Sequence, residues 1–357
     1  MSKLFEPFKI NRMQLKNRFV RSATMDNLGS DGLVTNAQLE LYRDLCLGEV
    51  GLIISSGIFP SKSGWAGKGQ LGAHTDATIP SLKQIADTVH KYQGKVAAQL
   101  LHGGWMANPE FIAQQPIGPS DVKYPATDVL IKGLSNDEVY EEIEHFIQAG
   151  RRLIEAGFDA IQFHGAHSWL LSAFLSPATN HREDEFGGTP QNRANFVLKI
   201  YEGIRKIAGP EYPIFIKLGL RDYHPQGKSR EEGLEQALLF EKAGMDAIEI
   251  SEGLEEDRSH HIRQDALKPY YLEECQRARE LLKLPLILVG GMRQLKDIEK
   301  VVDSGLADAV SMCRPFVMDR YIVKKFHEGT ANSSGCTSCN GCVGLLRTTL
   351  RCVLNEE

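Results

Sequence analysis

The chain has 357 residues, of which 42% are hydrophobic and 24% are charged, and its formal net charge is −5. This composition is typical of a globular protein and excludes a disordered chain, which would need fewer apolar groups and more net charge. The mild negative charge argues against nucleic acid as the main partner, because phosphate binding leaves a basic footprint.

The sequence contains no window of about 18 consecutive apolar residues, which a membrane-spanning helix would need. Its first eight residues lack the apolar core of a signal peptide. We therefore expect a cytoplasmic protein that does not enter a membrane.

Short apolar runs rich in β-branched residues alternate with amphipathic helical patterns along most of the chain. Apolar runs of this kind are typical of strands buried on both faces of a parallel sheet. Capping-box patterns at Ser135 and Ser229 predict the starts of two helices, and further helices are predicted over 37–47, 80–92 and 318–327. The predicted strands are 17–23, 51–57, 95–101, 159–164, 213–218, 246–251, 285–290 and 308–313.

Eight strand-then-helix units in succession predict a (β/α)8 TIM barrel over residues 1–330, followed by a short cysteine-rich extension over 331–357. The alternative is an open doubly wound sheet with an appended domain. It is disfavoured because no G-x-G-x-x-G pattern follows the first strand. In a TIM barrel the chemistry lies where the strands end, so we sought site residues at those positions.

Polar residues interrupt the apolar pattern at several strand ends. Gly290, Gly291 and Arg314 follow the last two strands, where TIM barrels bind phosphate, although a tight turn alone would also explain the glycines. Gln99 on the third strand is costly to bury unless it is paired. Lys217 places a charge in an interior that should be apolar. The alternative without a functional role is a lysine whose amine reaches solvent.

The C-terminal segment contains four of the seven cysteines. Because disulfides are rare in the reducing cytoplasm, such a cluster usually indicates a metal site. Three cysteines at two-residue gaps with a fourth further along are typical of iron–sulfur ligands, which favours a [4Fe-4S] cluster over zinc, with unligated thiols third. The four cysteines are Cys336, Cys339, Cys342 and Cys352.

The chain resembles the Old Yellow Enzyme family of FMN-dependent oxidoreductases over residues 3–330. The segments that carry the resemblance are LFEPFKINRMQLKNRFVRSATM near the start and HGAHSWLLSAFLSPATNHREDEFGGTPQNR at 164–193. The tail CTSCNGC is similar to the branch that contains 2,4-dienoyl-CoA reductase and trimethylamine dehydrogenase. The resemblance implies FMN as cofactor and NAD(P)H, or a separate electron-transfer protein, as electron donor. It also implies a homo-oligomer.

By this resemblance, His164 and His167 would hydrogen-bond the carbonyl oxygen of an enone or enoyl thioester that takes hydride from flavin N5. A metal bound by His-x-x-His is the rival interpretation. Lys217 stands where the family usually has arginine, near flavin N1, and Gln99 would meet the pyrimidine edge. The full set of expected FMN-binding residues is Ala23, Thr24, Met25, Gly57, Gln99, Lys217, Gly290, Gly291, Cys313 and Arg314.

Trp169 is the main departure, because many family members have a proton-donating tyrosine there and indole N–H is no such acid. We assign Trp169 to the catalytic set as a pocket wall, with Tyr223, His260 and His261 as candidate donors. The departure leaves two alternatives open, an oxidative dehydrogenase or demethylase acting on an amine and an electron-transfer subunit without its own turnover.

Overall fold

The computed structural model describes residues 2–123, 130–254, 269–344 and 350–355. Within these ranges, eight parallel strands pair in chain order, and the last pairs with the first to close a barrel. A two-residue strand, Leu71–Gly72, adds to the second barrel strand. This topology confirms the predicted TIM barrel. The strands are β1 (Phe19–Arg21), β2 (Leu52–Phe59), β3 (Val96–Leu100), β4 (Ala160–Gly165), β5 (Ile214–Gly219), β6 (Ile248–Ser251), β7 (Leu286–Val289) and β8 (Ala309–Met312).

A helix of the outer layer follows each strand. The capping boxes at Ser135 and Ser229 are both formed, as predicted. The final helix predicted over 318–327 is present but begins only at Ile322, after a separate short helix Arg314–Met318 has ended, and the Asp319 carboxylate between the two accepts the Tyr321 N–H. The outer helices are α1 (Asn36–Leu47), α2 (Ile79–Lys91), α3 (Asn136–Glu155), α4 (Pro190–Ala208), α5 (Arg230–Ala243), α6 (Leu272–Leu281), α7 (Leu295–Asp303) and α8 (Ile322–His327).

Short elements complete the described parts of the chain. The proline-bearing segment 103–134, between the third barrel strand and the helix that begins after Ser135, contains one-turn helices and two-residue strands where it is described. None of the described helices is long and apolar enough to cross a membrane. The shorter elements are Lys3–Phe5, Phe8–Ile10, Met13–Leu15, Lys62–Gly64, Asp76–Thr78, Gly104–Met106, Pro109–Ile112, Ile117–Gly118, Lys132–Gly133, Leu170–Leu175, Arg314–Met318, Gly341–Gly344 and Val353–Asn355.

The lower half of the barrel interior is apolar and is closed by an N-terminal hairpin. Strands Phe8–Ile10 and Met13–Leu15 pair antiparallel, and three of their side chains pack under the barrel. This hairpin was not among the predicted elements. We call this packed set the apolar layer: Ile10, Met13, Leu15, Val20, Leu52, Ile54, Ala97, Ala160, Phe215, Ala247, Ile287 and Ala309.

Candidate active site

A cavity of about 400 Å³ opens at the C-terminal ends of the strands, the end at which TIM barrels carry their chemistry. Its volume lies in the range of small-molecule sites. Twelve of the thirteen residues predicted for catalysis or FMN binding line it, and the thirteenth, Gly291, lines a smaller cavity beside it. The twelve are Ala23, Thr24, Met25, Gly57, Gln99, His164, His167, Trp169, Lys217, Gly290, Cys313 and Arg314.

The floor of this cavity is a buried polar layer inside the barrel. Each of its residues lies two positions beyond a residue of the apolar layer, and side chains two apart on a strand point to the same face. The barrel interior is therefore apolar at the end closed by the hairpin and polar at the end that faces the cavity. The polar layer consists of Ser22, Gln99, Gln162, Lys217, Glu249 and Ser311, all buried.

Two glutamines of the polar layer connect the cavity to a carboxylate beneath it. Gln99 and Gln162 are register partners on β3 and β4. Gln99 Nε2 donates to Gln162 Oε1 at 2.7 Å, and Gln162 Nε2 donates to Glu249 Oε2 at 2.8 Å. Sequence analysis identified Gln99 but missed Gln162 and Glu249, which interrupt their apolar strands in the same way.

Lys217 shares the second oxygen of that carboxylate with two serines. Its Nζ donates to Ser22 Oγ at 2.9 Å and to Glu249 Oε1 at 3.3 Å. Ser22 and Ser311 donate to the same oxygen at 2.7 and 2.6 Å. Burial by itself raises the pKa of Glu249, but the charge of Lys217 and the hydrogen bonds of its neighbours outweigh it and lower the pKa. The carboxylate is therefore ionised and acts only as an acceptor. Lys217 is buried, which contradicts the solvent-reaching alternative.

The turn after β7 has the backbone that only glycine adopts readily. Gly290 and Gly291 have φ of +100° and +73°. A Cβ on Gly290 would lie 2.5 Å from the ring of Tyr270. The turn thus needs glycine both for its backbone and for its packing, so the tight-turn explanation and a close approach to an anion are compatible.

A second cavity of about 50 Å³ lies between this turn and two arginines. Arg314 Nη1 donates to Asn340 Oδ1 at 2.6 Å. Arg293, buried and missed by sequence analysis, donates through Nη1 to Ser338, whereas its Nη2 makes no hydrogen bond within the described residues. Burial lowers the pKa of Arg293, Cys336 opposes this change, and Arg314 adds to it. Two guanidinium groups so close together favour an anion between them.

His164 lies near the end of β4, and His167 lies on the strained turn that directly follows the strand. His167 and Ser168 have φ of +55° and +64°, which non-glycine residues rarely adopt and which recurs at functional sites. Trp105 Nε1 donates to the Ser168 carbonyl, and His167 Nε2 lies 2.8 Å from Ser251 Oγ. The rings of His164 and His167 meet edge to face at 5.1 Å. The strand end and the turn after it thereby place both imidazoles at the cavity.

Trp169 also lies on the cavity wall, 6.2 Å from the His164 ring between centroids. Of the proposed proton donors, Tyr223 accepts a hydrogen bond from Arg221 at 2.9 Å, and His260 and His261 lie outside the described residues. Two phenols that sequence analysis did not consider, Tyr270 and Tyr271, line the cavity.

A buried carboxylate holds the loop after β1. Asp26 accepts the Leu28 N–H at 3.2 Å and hydrogen bonds from Gln38 Nε2 at 3.3 and 3.4 Å, and Arg21 lies 4.0 Å away. Burial raises the pKa of Asp26, partly opposed by Arg21. These contacts fix residues 23–25 at the cavity, which no sequence pattern indicated.

Of the tail cysteines, Cys342 lines the main cavity and Cys336 lines the smaller one. Burial, and then the neighbouring Cys313 and Cys336, raise the pKa of Cys342 to about 11, and Cys352 acts in the same direction. Cys339 is exposed. In the ranges that the structure describes, no three His, Cys, Asp or Glu side chains are arranged to hold a metal ion. The four thiols have the chemistry of iron–sulfur ligands, but they are not arranged as a formed site, and the same finding gives no support to a metal at the histidine pair.

Comparison with known proteins agrees with this architecture. An NADH oxidase of Thermoanaerobacter brockii is 31% identical over 366 residues, which cover 99% of this chain and 56% of that protein. Among solved structures, a 2-naphthoyl-CoA reductase complex matches with a TM-score of 0.94 at 28% identity, over 99% of this chain and 57% of that one. An old yellow enzyme homologue from Zymomonas mobilis matches with a TM-score of 0.81 at 25% identity, over 93% and 94%.

The chain thus spans little more than half the length of the first two of these proteins. A model of the NADH:flavin oxidoreductase / NADH oxidase family matches residues 3–333, the whole of the barrel described above. The chain belongs to this family of flavin-dependent oxidoreductases.

Proposed function

We propose that the protein binds FMN and reduces an activated C=C bond of an enone or enoyl thioester. One observation carries the proposal: the His164–His167 pair opens into the same cavity as Lys217, Gln99 and Arg314. The pair supplies donors for a carbonyl oxygen, Lys217 and Gln99 supply contacts for the flavin pyrimidine edge, and Arg314 supplies a contact for the flavin phosphate. NAD(P)H, or a separate electron-transfer protein, would supply the electrons.

The residues present fit FMN. Gly290, Gly291, Arg293 and Arg314 would hold the phosphate, and the buried Nη2 of Arg293 is a donor with no protein acceptor within the described residues. The polar layer would meet the pyrimidine edge through Gln99 and Lys217. The loop at 23–25 and Gly57 would contact the ring from the cavity wall. When bound, FMN supplies the hydride from its N5 atom.

His164 and His167 would bind the substrate carbonyl and stabilise the negative charge that develops on its oxygen during reduction. Ser251 fixes the ring of His167 from behind. Trp169 would exclude water as an apolar wall. The second proton would come from Tyr270 or Tyr271, which line the same cavity, or from water.

We propose further that residues 331–357 form a tail that binds a [4Fe-4S] cluster through Cys336, Cys339, Cys342 and Cys352, with zinc as the alternative. The spacing of the cysteines supports this, as do the electrostatic effects of Cys336 and Cys352 on Cys342. A site that closes only around its metal is common in small metal-binding segments. Analysis of iron, acid-labile sulfide and zinc in protein purified without air would decide between the two.

The test of the main proposal is anaerobic visible spectroscopy of the FMN-loaded protein. We expect NADH or NADPH to bleach the flavin, and 2-cyclohexen-1-one or crotonyl-CoA to restore its colour with formation of the saturated product. His164→Ala should slow the second step by about 10²-fold, the usual cost of one oxyanion donor, and leave bleaching largely intact.

Three results would contradict this proposal. No FMN binding would remove the flavin function altogether. Flavin that neither substrate reoxidises, but that a reduced amine bleaches, would support the oxidative alternative, which the loss of an acidic side chain at Trp169 favours. Flavin that only a co-purified protein reduces and oxidises would support an electron-transfer subunit. Sedimentation of the same sample tests the expected homo-oligomer.

A further inference from the structure

We propose that Glu249, which touches neither cavity, determines two properties of the polar residues that would contact the flavin pyrimidine ring. These properties are their net charge and whether they present a hydrogen-bond donor or an acceptor. The inference rests on the proposed FMN function. It assigns a positioning role to a carboxylate at the centre of the barrel, acting through Gln162 and Lys217 on the residues that would contact the flavin.

The first step is the direction of the two amides. An ionised carboxylate accepts hydrogen bonds and donates none. Gln162 must therefore turn its NH2 group towards Glu249 and its oxygen towards Gln99. Gln99 must in turn donate a hydrogen bond from its NH2 group to that oxygen, which agrees with the observed contact of 2.7 Å. Its own oxygen is then the atom left for the cavity, so Gln99 presents an acceptor.

The acceptor has a defined counterpart. Flavin N3–H is the one N–H donor on the pyrimidine edge of oxidised FMN. An inward-facing carboxylate beneath Gln162 thus favours a ring with N–H at that place over one in which the hydrogen is replaced by a methyl group.

The second step is charge. Lys217 is the cation of the polar layer, and Glu249 lies 3.3 Å from its Nζ with both groups buried. At such a distance in a medium of low dielectric the two charges largely cancel for a third group nearby. Reduction of FMN by two electrons and one proton leaves one negative charge on the ring. Glu249 therefore reduces the stabilisation that Lys217 alone would give to that charge, and lowers the reduction potential.

A merely structural ion pair would behave differently. Its loss would lower the stability of the barrel, as breaking buried pairs does, but it would not alter the preference of the site between oxidised and reduced FMN or between ring substituents. Potential and ligand preference are thus the readouts that separate the two roles, and neither depends on turnover.

The experiment compares the wild-type protein with Glu249→Gln. The new amide has one oxygen, which the donors Lys217, Ser22 and Ser311 require, so its NH2 group must face Gln162. Both glutamines then reverse, and Gln99 presents NH2 to the cavity. The matched control is Glu142→Gln, another buried carboxylate that lies outside both cavities.

The dissociation constants of FMN and N3-methyl-FMN are measured by fluorescence, and the midpoint potential by slow reduction beside a reference dye. For Glu249→Gln we expect reduced FMN to gain about tenfold over oxidised FMN relative to wild type, an upward shift of about 30 mV for a two-electron couple. The preference for FMN over N3-methyl-FMN should fall by about tenfold. Glu142→Gln should change neither.

Gln162→Leu separates the two steps, because it breaks the relay and keeps the charges. It should lose the preference for FMN over N3-methyl-FMN and retain the wild-type potential, and it also tests the relay if Glu249→Gln fails to fold. Unchanged potential and preference in a folded Glu249→Gln, or an unchanged preference in Gln162→Leu, would overturn the proposal while FMN binding stands. Wild-type protein that binds no FMN would instead overturn the proposed function and, with it, this inference.

Discussion

His102 illustrates how a histidine near an active site can be structural. Its ring is fully buried, and the Gly104 N–H donates to Nδ1 at 2.9 Å, so the proton resides on Nε2. Nε2 lies 3.1 Å from Ser63 Oγ and 3.5 Å from Glu142. Burial lowers the pKa of His102 to about 4, which the nearby Glu142 only partly opposes. The imidazole is therefore neutral at ordinary pH, and we assign it a structural role.

His102 should make the protein less stable in mild acid. The unfolded chain takes up a proton near pH 6.5, whereas the folded chain does so only near pH 4. Its stabilising effect is thus complete above pH 6.5 and declines as the pH falls towards 4, by about 3 kcal/mol at most. In His102→Asn the amide oxygen can accept the Gly104 N–H without titrating. Urea unfolding between pH 7 and 4 should show a smaller decline than in wild type, and equal slopes would refute the assignment.

Arg293 should contribute to FMN affinity through the phosphate alone. Arg293→Met removes one charge-assisted hydrogen bond, worth about 1.5–3 kcal/mol, so FMN affinity should fall by about ten- to a hundredfold. Riboflavin lacks the phosphate, and its affinity should remain unchanged. Arg320→Met, which removes a more exposed arginine paired with Asp44, is the control. An equal loss for riboflavin would mean that Arg293 only holds the loop.

At the scale of elements, the turn after β7 combines a backbone conformation that favours glycine with a position at which the ligand would approach. Gly290 and Gly305 both have positive φ, but only Gly290 faces a ring, since nothing lies within 4 Å of a Cβ placed on Gly305. The two positions therefore separate backbone strain from steric overlap in the same fold.

Gly305→Ala should lower the free energy of unfolding by about 1–2 kcal/mol, the cost of a left-handed non-glycine residue. Gly290→Ala should cost more, because its Cβ also meets Tyr270, and it should weaken FMN binding. Thermal unfolding of the two apoproteins and fluorescence titration with FMN measure both effects. If the two variants lose equal stability and Gly290→Ala still binds FMN as wild type does, the turn accommodates the added methyl group.

At the scale of the whole molecule, sequence patterns predicted the barrel because eight buried strands each produce a continuous apolar run. They identified Gln99 and Lys217 as polar interruptions of such runs. Gln162 and Glu249 interrupt the apolar runs AIQFHG and AIEIS in the same way. They were missed because alternation of polar and apolar residues over four to six positions is also typical of half-exposed strands. The N-terminal hairpin and Arg293 were missed since their places depend on contacts far apart in the chain.

The boundary proposed near residue 330 is also crossed by contacts that no local pattern encodes. The Ser334 N–H donates to the Arg293 carbonyl, and the Leu295 N–H donates to the Asn332 carbonyl. Ser338 and Asn340 accept hydrogen bonds from the two arginines of the smaller cavity. The start of the tail is therefore part of the wall that would hold the phosphate.

The double variant Ser338→Gly/Asn340→Gly tests this coupling of tail to barrel. Both residues have positive φ, so glycine removes the side chains without straining the backbone. The arginines keep their charge but lose their fixed orientation, and we expect FMN affinity to fall by about fivefold for each hydrogen bond lost. Ser333→Gly removes the hydrogen bonds from Gln294 and from the Gly335 N–H but none from the two arginines, and it should bind FMN as wild type does. If the double variant also binds FMN as wild type does, the tail packs on the barrel without ordering the phosphate site, and the arginines keep their orientation without Ser338 and Asn340.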